Sequence, residues 1–221
     1  MRTPPHPLFC VSLATVVVAG LVGAFVVLAA AVAAGNVALA ECDARLGELL
    51  GRQAAAPIGA ILSWMSALHA PRGVIALTAL ASVALWFRHE RTGVVVLLAS
   101  VLGGASINHA LKHAFQRPRP GLEQAVSVAT DFSFPSGHVA NATLLYGTLA
   151  ALIVLRTASP SVRIGAGAVA VLMVVCIACS RIALGAHRAS DVAASVLVGL
   201  AWMTVCLAVR CVLSRGDGSG R

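Results

Sequence analysis

Arg181, His187 and Asp191 lie within the stretch Ser180–Asp191, in a sequence in which only 11% of the residues are charged. If the chain is helical from Ala186 onward, His187 and Asp191 share one helix face, because they are four residues apart. The carboxylate would then accept a hydrogen bond from one imidazole nitrogen and leave the other free to act as a nucleophile. The alternative interpretation is an ordinary cluster of polar residues at the boundary of a membrane span.

A second polar cluster begins at Lys112 and ends at Arg119-Pro120. Lys112 follows a long apolar segment, and Asn108 lies one helical turn before it on the same face. Two cations held by a helix end and a proline-stiffened loop suit an anion with several oxygens, such as a phosphoryl group. The alternative is a pair of cations whose apolar stems lie along the membrane while their charges reach water.

The third cluster is Phe134-Pro135-Ser136-Gly137-His138, directly before an apolar segment. Serine is a good N-cap, and the free amides of Gly137 and His138 at a helix N-terminus would form an anion site. His138 in the first turn would point at the same anion and could donate a proton to a leaving oxygen. The alternative is a simple N-cap with an incidental histidine.

Together the three clusters supply three cations, helix-terminal amides, and two histidines, of which one has a carboxylate partner. This set matches phosphoryl transfer through a covalent phosphohistidine, where catalysis consists mostly of positioning and charge stabilisation. The clusters contain no paired Asp or Glu ligands for a divalent metal. The sequence therefore predicts metal-independent chemistry with no cofactor.

The elements that position these clusters must lie in a membrane. The sequence is 59% hydrophobic, against about 45–50% in a soluble domain. The net charge of +8 comes from cations at the ends of apolar runs, where they anchor spans and meet anionic lipid. No basic run with interleaved aromatic residues indicates a nucleic-acid partner. The cysteines are interpreted as small hydrophobic residues, with no disulfide framework, and the Cys176–Cys179 pair lacks the further ligands of a zinc or redox site.

We expect an all-α polytopic bundle of six transmembrane helices that forms one membrane-embedded domain over residues 1–221. The first apolar segment is too long for the core of a signal peptide, so it is interpreted as a retained span. Residues 41–53 are expected to form an extramembrane loop with a short helix, and residues 54–69 an interfacial or re-entrant helix. The predicted spans are residues 8–35, 73–87, 93–111, 139–155, 164–179 and 192–212.

This count of spans brings the three clusters to one side of the membrane, because they flank the third, fourth, fifth and sixth spans. With the N-terminus inside, eight Lys and Arg residues fall on each side of the membrane. If Lys112, Arg119 and Arg181 are set aside as functional, eight remain inside against five outside. The positive-inside rule then favours clusters that face outward from the cell's inner (plasma) membrane.

The order and spacing of these residues resemble the three-part signature of the type-2 phosphatidic acid phosphatase and vanadium haloperoxidase superfamily, in its membrane lipid phosphatase branch. The resemblance covers residues 112–191. The matching pattern is Lys112-x6-Arg119-Pro120, Pro135-Ser136-Gly137-His138 and Ser180-Arg181-x5-His187-x3-Asp191.

The resemblance implies a role for each signature residue. His187 would attack phosphorus with Asp191 as its orienting partner, and His138 would protonate the leaving group. The phosphoryl oxygens would be held by the remaining signature positions, which are Lys112, Arg119, Ser136, Gly137 and Arg181. The implied activity is hydrolysis of a lipid phosphate or pyrophosphate, with polyprenyl (undecaprenyl) pyrophosphate, phosphatidylglycerophosphate and phosphatidate as the substrates to consider.

Two other functions stay open at this point. A vanadate-dependent haloperoxidase would use the same cradle, although its relatives resemble soluble helical proteins. A non-catalytic lipid binder or transporter would use the cations to hold a headgroup and would need no nucleophile. The expected partners are the lipid phosphate and the surrounding membrane lipids, and the sequence does not indicate an oligomeric state.

Overall fold

The computed structural model describes residues 7–52, 58–120 and 132–216, which fold into helices without a strand. Eight helices lie in these ranges, so the predicted all-α class is confirmed. Their bounds are α1 Pro7–Ala33, α2 Val37–Arg52, α3 Ile58–Leu68, α4 Pro71–Phe87, α5 Arg91–Phe115, α6 Gly137–Arg156, α7 Pro160–Ala183 and α8 Ala189–Gly216.

Five helices are long and apolar enough to cross a membrane: α1, α5, α6, α7 and α8. The predicted second span is shorter than expected for a single crossing, since α4 has 17 residues. It follows α3 across a break, and the two helices meet at an angle of 64°. The predicted six spans are therefore obtained only if α3 and α4 count together as one broken span.

Helix α6 is the centre of the bundle and packs on α5, α7 and α8. Its Leu144 and Leu145 are 1% exposed and pack with Leu97 of α5, which is fully buried. Close approach depends on glycine, because a Cβ atom at Gly104 would lie only 2.2 Å from Leu144 Cδ1. At Gly103 a Cβ atom would lie 2.6 Å from the Trp202 ring of α8. The two glycines thus allow α5 to pack closely on α6 and α8.

Helix α1 lies at the edge of the bundle, where it packs along α8. Only 6% of its most apolar stretch is buried, as expected for side chains that face lipid. Because α1 and α8 lie side by side, Cys10 and Cys211 meet across 201 residues of sequence and form a disulfide. The prediction that the cysteines form no disulfide is wrong for this pair.

Residues 41–53 are expected from the sequence to form an extramembrane loop with a short helix. Helix α2 instead covers the described part of this segment without a loop, and Gln53 lies outside the described residues. Four small residues follow one face of α2: Ala40, Ala44, Gly47 and Gly51. The other face carries exposed ion pairs from Glu41 to Arg45 and from Glu48 to Arg52. The small face packs towards α7 and α8 and includes the buried Asp43. The segment is therefore a packed part of the bundle.

Candidate active site

The three polar clusters meet at one end of the bundle, as the count of spans predicts. Backbone hydrogen bonds join them: Ser133 N donates to Arg117 O over 2.8 Å, and Ser136 N donates to Asp191 O over 3.2 Å. The Arg119 guanidinium donates to Ala186 O over 3.1 Å. The loop after α5, the start of α6 and the α7–α8 turn are thus held against one another.

His187 and Asp191 face each other, although not on one helix as the sequence analysis assumed. Helix α8 begins at Ala189, so His187 lies in the turn that precedes it. Gly185 in this turn has a φ of +64°, a left-handed conformation that glycine adopts without strain. His187 Nδ1 is 3.6 Å from Asp191 Oδ2, and both side chains are at most 1% exposed. The turn brings the two side chains together as the spacing predicts, although 3.6 Å is longer than the expected hydrogen bond.

Several donors hold the Asp191 carboxylate in place. The Arg188 backbone N–H donates to Oδ2 over 2.9 Å, a reciprocal contact typical of the first turn of a helix. The Ser133 hydroxyl also donates to Oδ2. The Arg117 guanidinium donates to Oδ1 over 2.6 Å. This carboxylate is therefore charged, oriented and fully buried.

His187 lies in an environment that favours its neutral form. Burial lowers the pKa of His187 below its ordinary value of 6.5, and the Asp191 carboxylate opposes this shift. The positive charges of Arg119 and Arg181 lower the pKa of His187 further. A neutral imidazole whose Nδ1 faces a carboxylate presents Nε2 as its nucleophilic atom.

Helix α6 begins at Gly137, with Ser136 in the N-cap position as predicted. The Ser136 side chain does not make the expected capping bond. It is fully buried, and its hydroxyl has no hydrogen-bond partner among the described residues. A Cβ atom at Gly137 would occupy the space next to Asn108, 3.5 Å from its Oδ1, and glycine leaves this space open. An unpaired buried hydroxyl beside helix-terminal amides is suited to bind an anion, since both can donate hydrogen bonds to it.

His138 follows in the first turn of α6 and is half-buried. It lies within electrostatic range of His187, Arg119 and Arg181. The structure therefore gathers both histidines of the sequence analysis with two of its three cations.

The three predicted cations lie on different elements. Lys112, near the end of α5, donates to the carbonyl of Phe132. Arg181, in the last turn of α7, donates to the Ser66 hydroxyl of α3. Arg119 is anchored at Ala186, directly before His187. Each cation is held by a contact that crosses between elements.

Sequence reasoning missed the residues that support this set. Arg117 lies inside the first cluster but was not singled out, and Ser66 and Asp43 lie in segments without a recognised motif. One signal for Asp43 was present in the sequence. Glu41 and Glu48 each have an arginine four residues later, whereas Asp43 has a glycine there. An acid on a helix without such a partner must find one elsewhere or face water.

A further buried histidine, His69, lies at the break between α3 and α4. Its Nδ1 is 2.8 Å from Met65 O, and its Nε2 is 2.7 Å from the Tyr146 hydroxyl. Since both ring nitrogens are bonded and the side chain is fully buried, His69 holds α3 against α6.

Comparisons with known proteins identify a family and similar sequences. The family profile of the PAP2 superfamily matches residues 93–213. Phosphatidylglycerophosphatase B of Bacillus subtilis (strain 168) is 30% identical over 182 residues, which are 80% of this chain and 86% of the relative.

Two solved structures have a similar fold. One is the crystal structure of a transmembrane PAP2-type phosphatidylglycerolphosphate phosphatase from Bacillus subtilis, with a TM-score of 0.72 and 22% identity over 92% of this chain and 97% of the other. The second is LpxE of Aquifex aeolicus, with a TM-score of 0.57 and 20% identity over 74% of this chain and 93% of the other.

Proposed function

Because the chain belongs to the PAP2 superfamily, we propose that it hydrolyses the phosphate or pyrophosphate group of a membrane lipid through a phosphohistidine at His187. The broader prediction of an enzyme is confirmed, since phosphatases of this family are hydrolases that act on phosphoester bonds without a metal ion. The substrate and the role of each residue are the proposal.

The buried His187–Asp191 pair is the observation that carries this proposal. Asp191 faces Nδ1, so Nε2 attacks phosphorus. A nitrogen–phosphorus bond forms as the bond from phosphorus to the leaving oxygen breaks. His138 gives its proton to that oxygen. The products of this step are the phosphohistidine and the dephosphorylated lipid.

The cradle for the phosphoryl oxygens consists of Lys112, Arg119, Arg181, the Ser136 hydroxyl and the Gly137 amide. In this proposal its cations and helix-terminal dipole stabilise the negative charge that develops in the transition state, which is the largest source of catalysis in phosphoryl transfer. The unpaired Ser136 hydroxyl supports this assignment, since a phosphoryl oxygen would satisfy it.

Water completes the reaction by attacking the phosphohistidine. His138, now neutral, accepts the proton of that water as a general base. The nitrogen–phosphorus bond breaks, inorganic phosphate leaves, and His187 returns to its neutral form. Reversal of the role of His138 follows from microscopic reversibility.

A lipid is the substrate class because the site lies at the end of spans whose outer faces are apolar. An amphiphile can reach such a site from the membrane while its headgroup stays near water. The named relative makes phosphatidylglycerophosphate the first candidate. Phosphatidate and undecaprenyl pyrophosphate are the other substrates to test. The proposed location is the inner membrane, with the site on the outer face, by the distribution of Lys and Arg.

The test is phosphate release from each of these lipids by purified protein in detergent, with metal ions chelated. We expect release from at least one lipid and an acid-labile phosphoenzyme. His187→Ala should abolish both, a loss of at least about 10³-fold. Arg163→Ala, at the far end of α7, is the control for a change of comparable size at an exposed position.

Three results would contradict the proposal. Activity that disappears with chelation would exclude the metal-free mechanism. Lipid binding that survives in His187→Ala, without turnover by the wild type, would indicate a binder or transporter. Halide oxidation on addition of vanadate, instead of inhibition by it, would indicate a haloperoxidase.

A further inference from the structure

Asp43 of α2 is a buried carboxylate bonded to the start of α8. Its Oδ1 accepts the Ser190 backbone N–H over 2.8 Å, and its Oδ2 accepts the Ser190 hydroxyl over 2.5 Å. The Ser190 amide belongs to the first turn of α8, where N–H groups have no acceptor within the helix. Asp43 therefore caps α8 from a neighbouring helix, with its negative charge at the positive end of the helix dipole.

Arg117 connects this carboxylate to Asp191. One guanidinium nitrogen donates to Asp191 Oδ1 over 2.6 Å and to the Ser190 hydroxyl over 2.8 Å. The other lies 3.3 Å from Asp43 Oδ2. The Arg117 side chain is 17% exposed, and those of Asp43 and Asp191 are 4% and 0% exposed. One arginine thus links two buried carboxylates that would otherwise repel each other.

The contacts of this network lead from Asp43 through Arg117 to Asp191, and from Asp191 to His187. Asp43 bonds to Arg117 and Ser190, whereas Asp191 faces the imidazole of His187 directly. Asp43 fixes both the arginine that bonds Asp191 and the helix turn that carries Asp191. A cavity of about 430 Å³ adjoins this network, with Asp43, Gly47, Arg117 and His187 among its walls. Because space is available there, Arg117 and the α7–α8 turn could shift if Asp43 did not hold them.

From these contacts we propose that Asp43 is a positioning residue for the nucleophile, acting through Arg117 and Ser190 to hold Asp191 against His187. This inference rests on the proposed function, and it deepens the description of that site. Asp43 lies before residues 93–213, the part of the chain that the family profile matches. The support for the reacting pair therefore comes from a helix outside the matched region.

The expected signature of a positioning role is a loss in kcat without a loss of substrate binding. Asp43→Asn keeps the shape of the side chain but removes the charge that balances Arg117. A displacement of about 1 Å at a reacting group can cost about 10²-fold in rate. We expect Asp43→Asn to lower kcat about 10- to 100-fold and to leave KM within about twofold. Formation of the phosphoenzyme should slow by the same factor as kcat.

The experiment compares Asp43→Asn with Glu48→Gln, which makes the same change of charge on the exposed face of α2. Both variants are assayed per folded protein, with the folded fraction taken from gel filtration in detergent. Ser190→Ala is the second test variant, since it removes the hydroxyl bonds to Asp43 and Arg117 but retains the backbone cap. We expect Ser190→Ala to lower kcat about threefold and Glu48→Gln to match the wild type.

A kcat for Asp43→Asn equal to that of Glu48→Gln would overturn the inference, and so would a loss confined to KM. If Asp43→Asn does not fold, Ser190→Ala decides the question, and an unchanged kcat in that variant overturns the inference. These outcomes differ from failure of the proposed function, in which the wild type and Glu48→Gln release no phosphate from any of the lipids.

Discussion

Helices α5 to α8 and helices α2 and α3 both reach the site, but with side chains of different kinds. The later helices and their connections carry the two histidines, Asp191 and the three cations. The earlier helices carry neutral or acidic groups that bond to residues of the later helices and their connections: Ser66 bonds to Arg181, and Asp43 bonds to Arg117. The difference indicates that the reactive groups come from one part of the chain and that some of their supports, Ser66 and Asp43, come from another.

Mutations in the two regions should differ in the size of their effect on the rate. Changes in the later helices should remove transition-state stabilisation itself. Changes in the earlier helices should only loosen the groups that provide it, so their effects should be smaller and should depend on an intact partner.

Among the changes that test this difference, the largest effect is expected at Arg181, where Arg181→Lys keeps the charge and removes the planar guanidinium. A lysine cannot bond two oxygens side by side or reach the Ser66 hydroxyl with the same geometry. We expect kcat to fall about 10²-fold in steady-state phosphate release. Arg163→Lys, an exposed change near the other end of α7, is the matched control. An Arg181→Lys enzyme within about twofold of the wild type would remove Arg181 from the cradle.

A smaller effect is expected at Ser66, the α3 residue that accepts a hydrogen bond from Arg181. Ser66→Ala should lower kcat about fivefold, which corresponds to about 1 kcal/mol for the lost hydrogen bond. Ser63→Ala changes an exposed serine of the same helix and should match the wild type.

The Ser66→Ala change also tests whether α3 acts through α7. In the Arg181→Lys background the same change should have little further effect, because the bond that it removes is already lost. If Ser66→Ala costs the same in both backgrounds, the two regions act independently and the comparison fails.

The later helices and their functional residues could be predicted well because the features that identify them lie close together in the sequence. A polar cluster at the end of an apolar run identifies both the span and the site. The count of spans then puts His138 and His187 on the same side of the membrane. The signature spacing also identified Arg119 and Arg181, which the structure places in electrostatic range of both histidines.

The supports could not be predicted because they depend on packing between distant segments. Ser66 and Arg181 are 115 residues apart, and Asp43 and Ser190 are 147 residues apart. The pairing of Cys10 with Cys211 was missed for the same reason. The position of His187 before α8 was misjudged for a local reason, since a glycine in the left-handed conformation ends the preceding turn.

The smallest effect is expected from pH, and it belongs to the later helices alone. The groups whose charges act on His187 are Asp191, Arg119, Arg181 and its neighbour His138. Because burial lowers the pKa of His187 below 6.5, less of the native imidazole is protonated at pH 6.5 than in an unshifted histidine. Protonation of His187 should therefore lower the rate of phosphoenzyme formation between about pH 7.5 and pH 6.5 by less than about twofold, the factor expected of an unshifted histidine that is half protonated at pH 6.5. Acid also destabilises the native state below this range, since the unfolded chain, with its higher histidine pKa, binds the proton first.

Rapid-quench measurement of phosphoenzyme separates the two effects, with folded protein verified by gel filtration at each pH. Ser66→Ala should follow the same profile because it removes no charge. A twofold loss at pH 6.5 in the wild type would show that burial does not control the His187 proton, and a shifted profile in Ser66→Ala would show that α3 acts on the nucleophile as well as on Arg181.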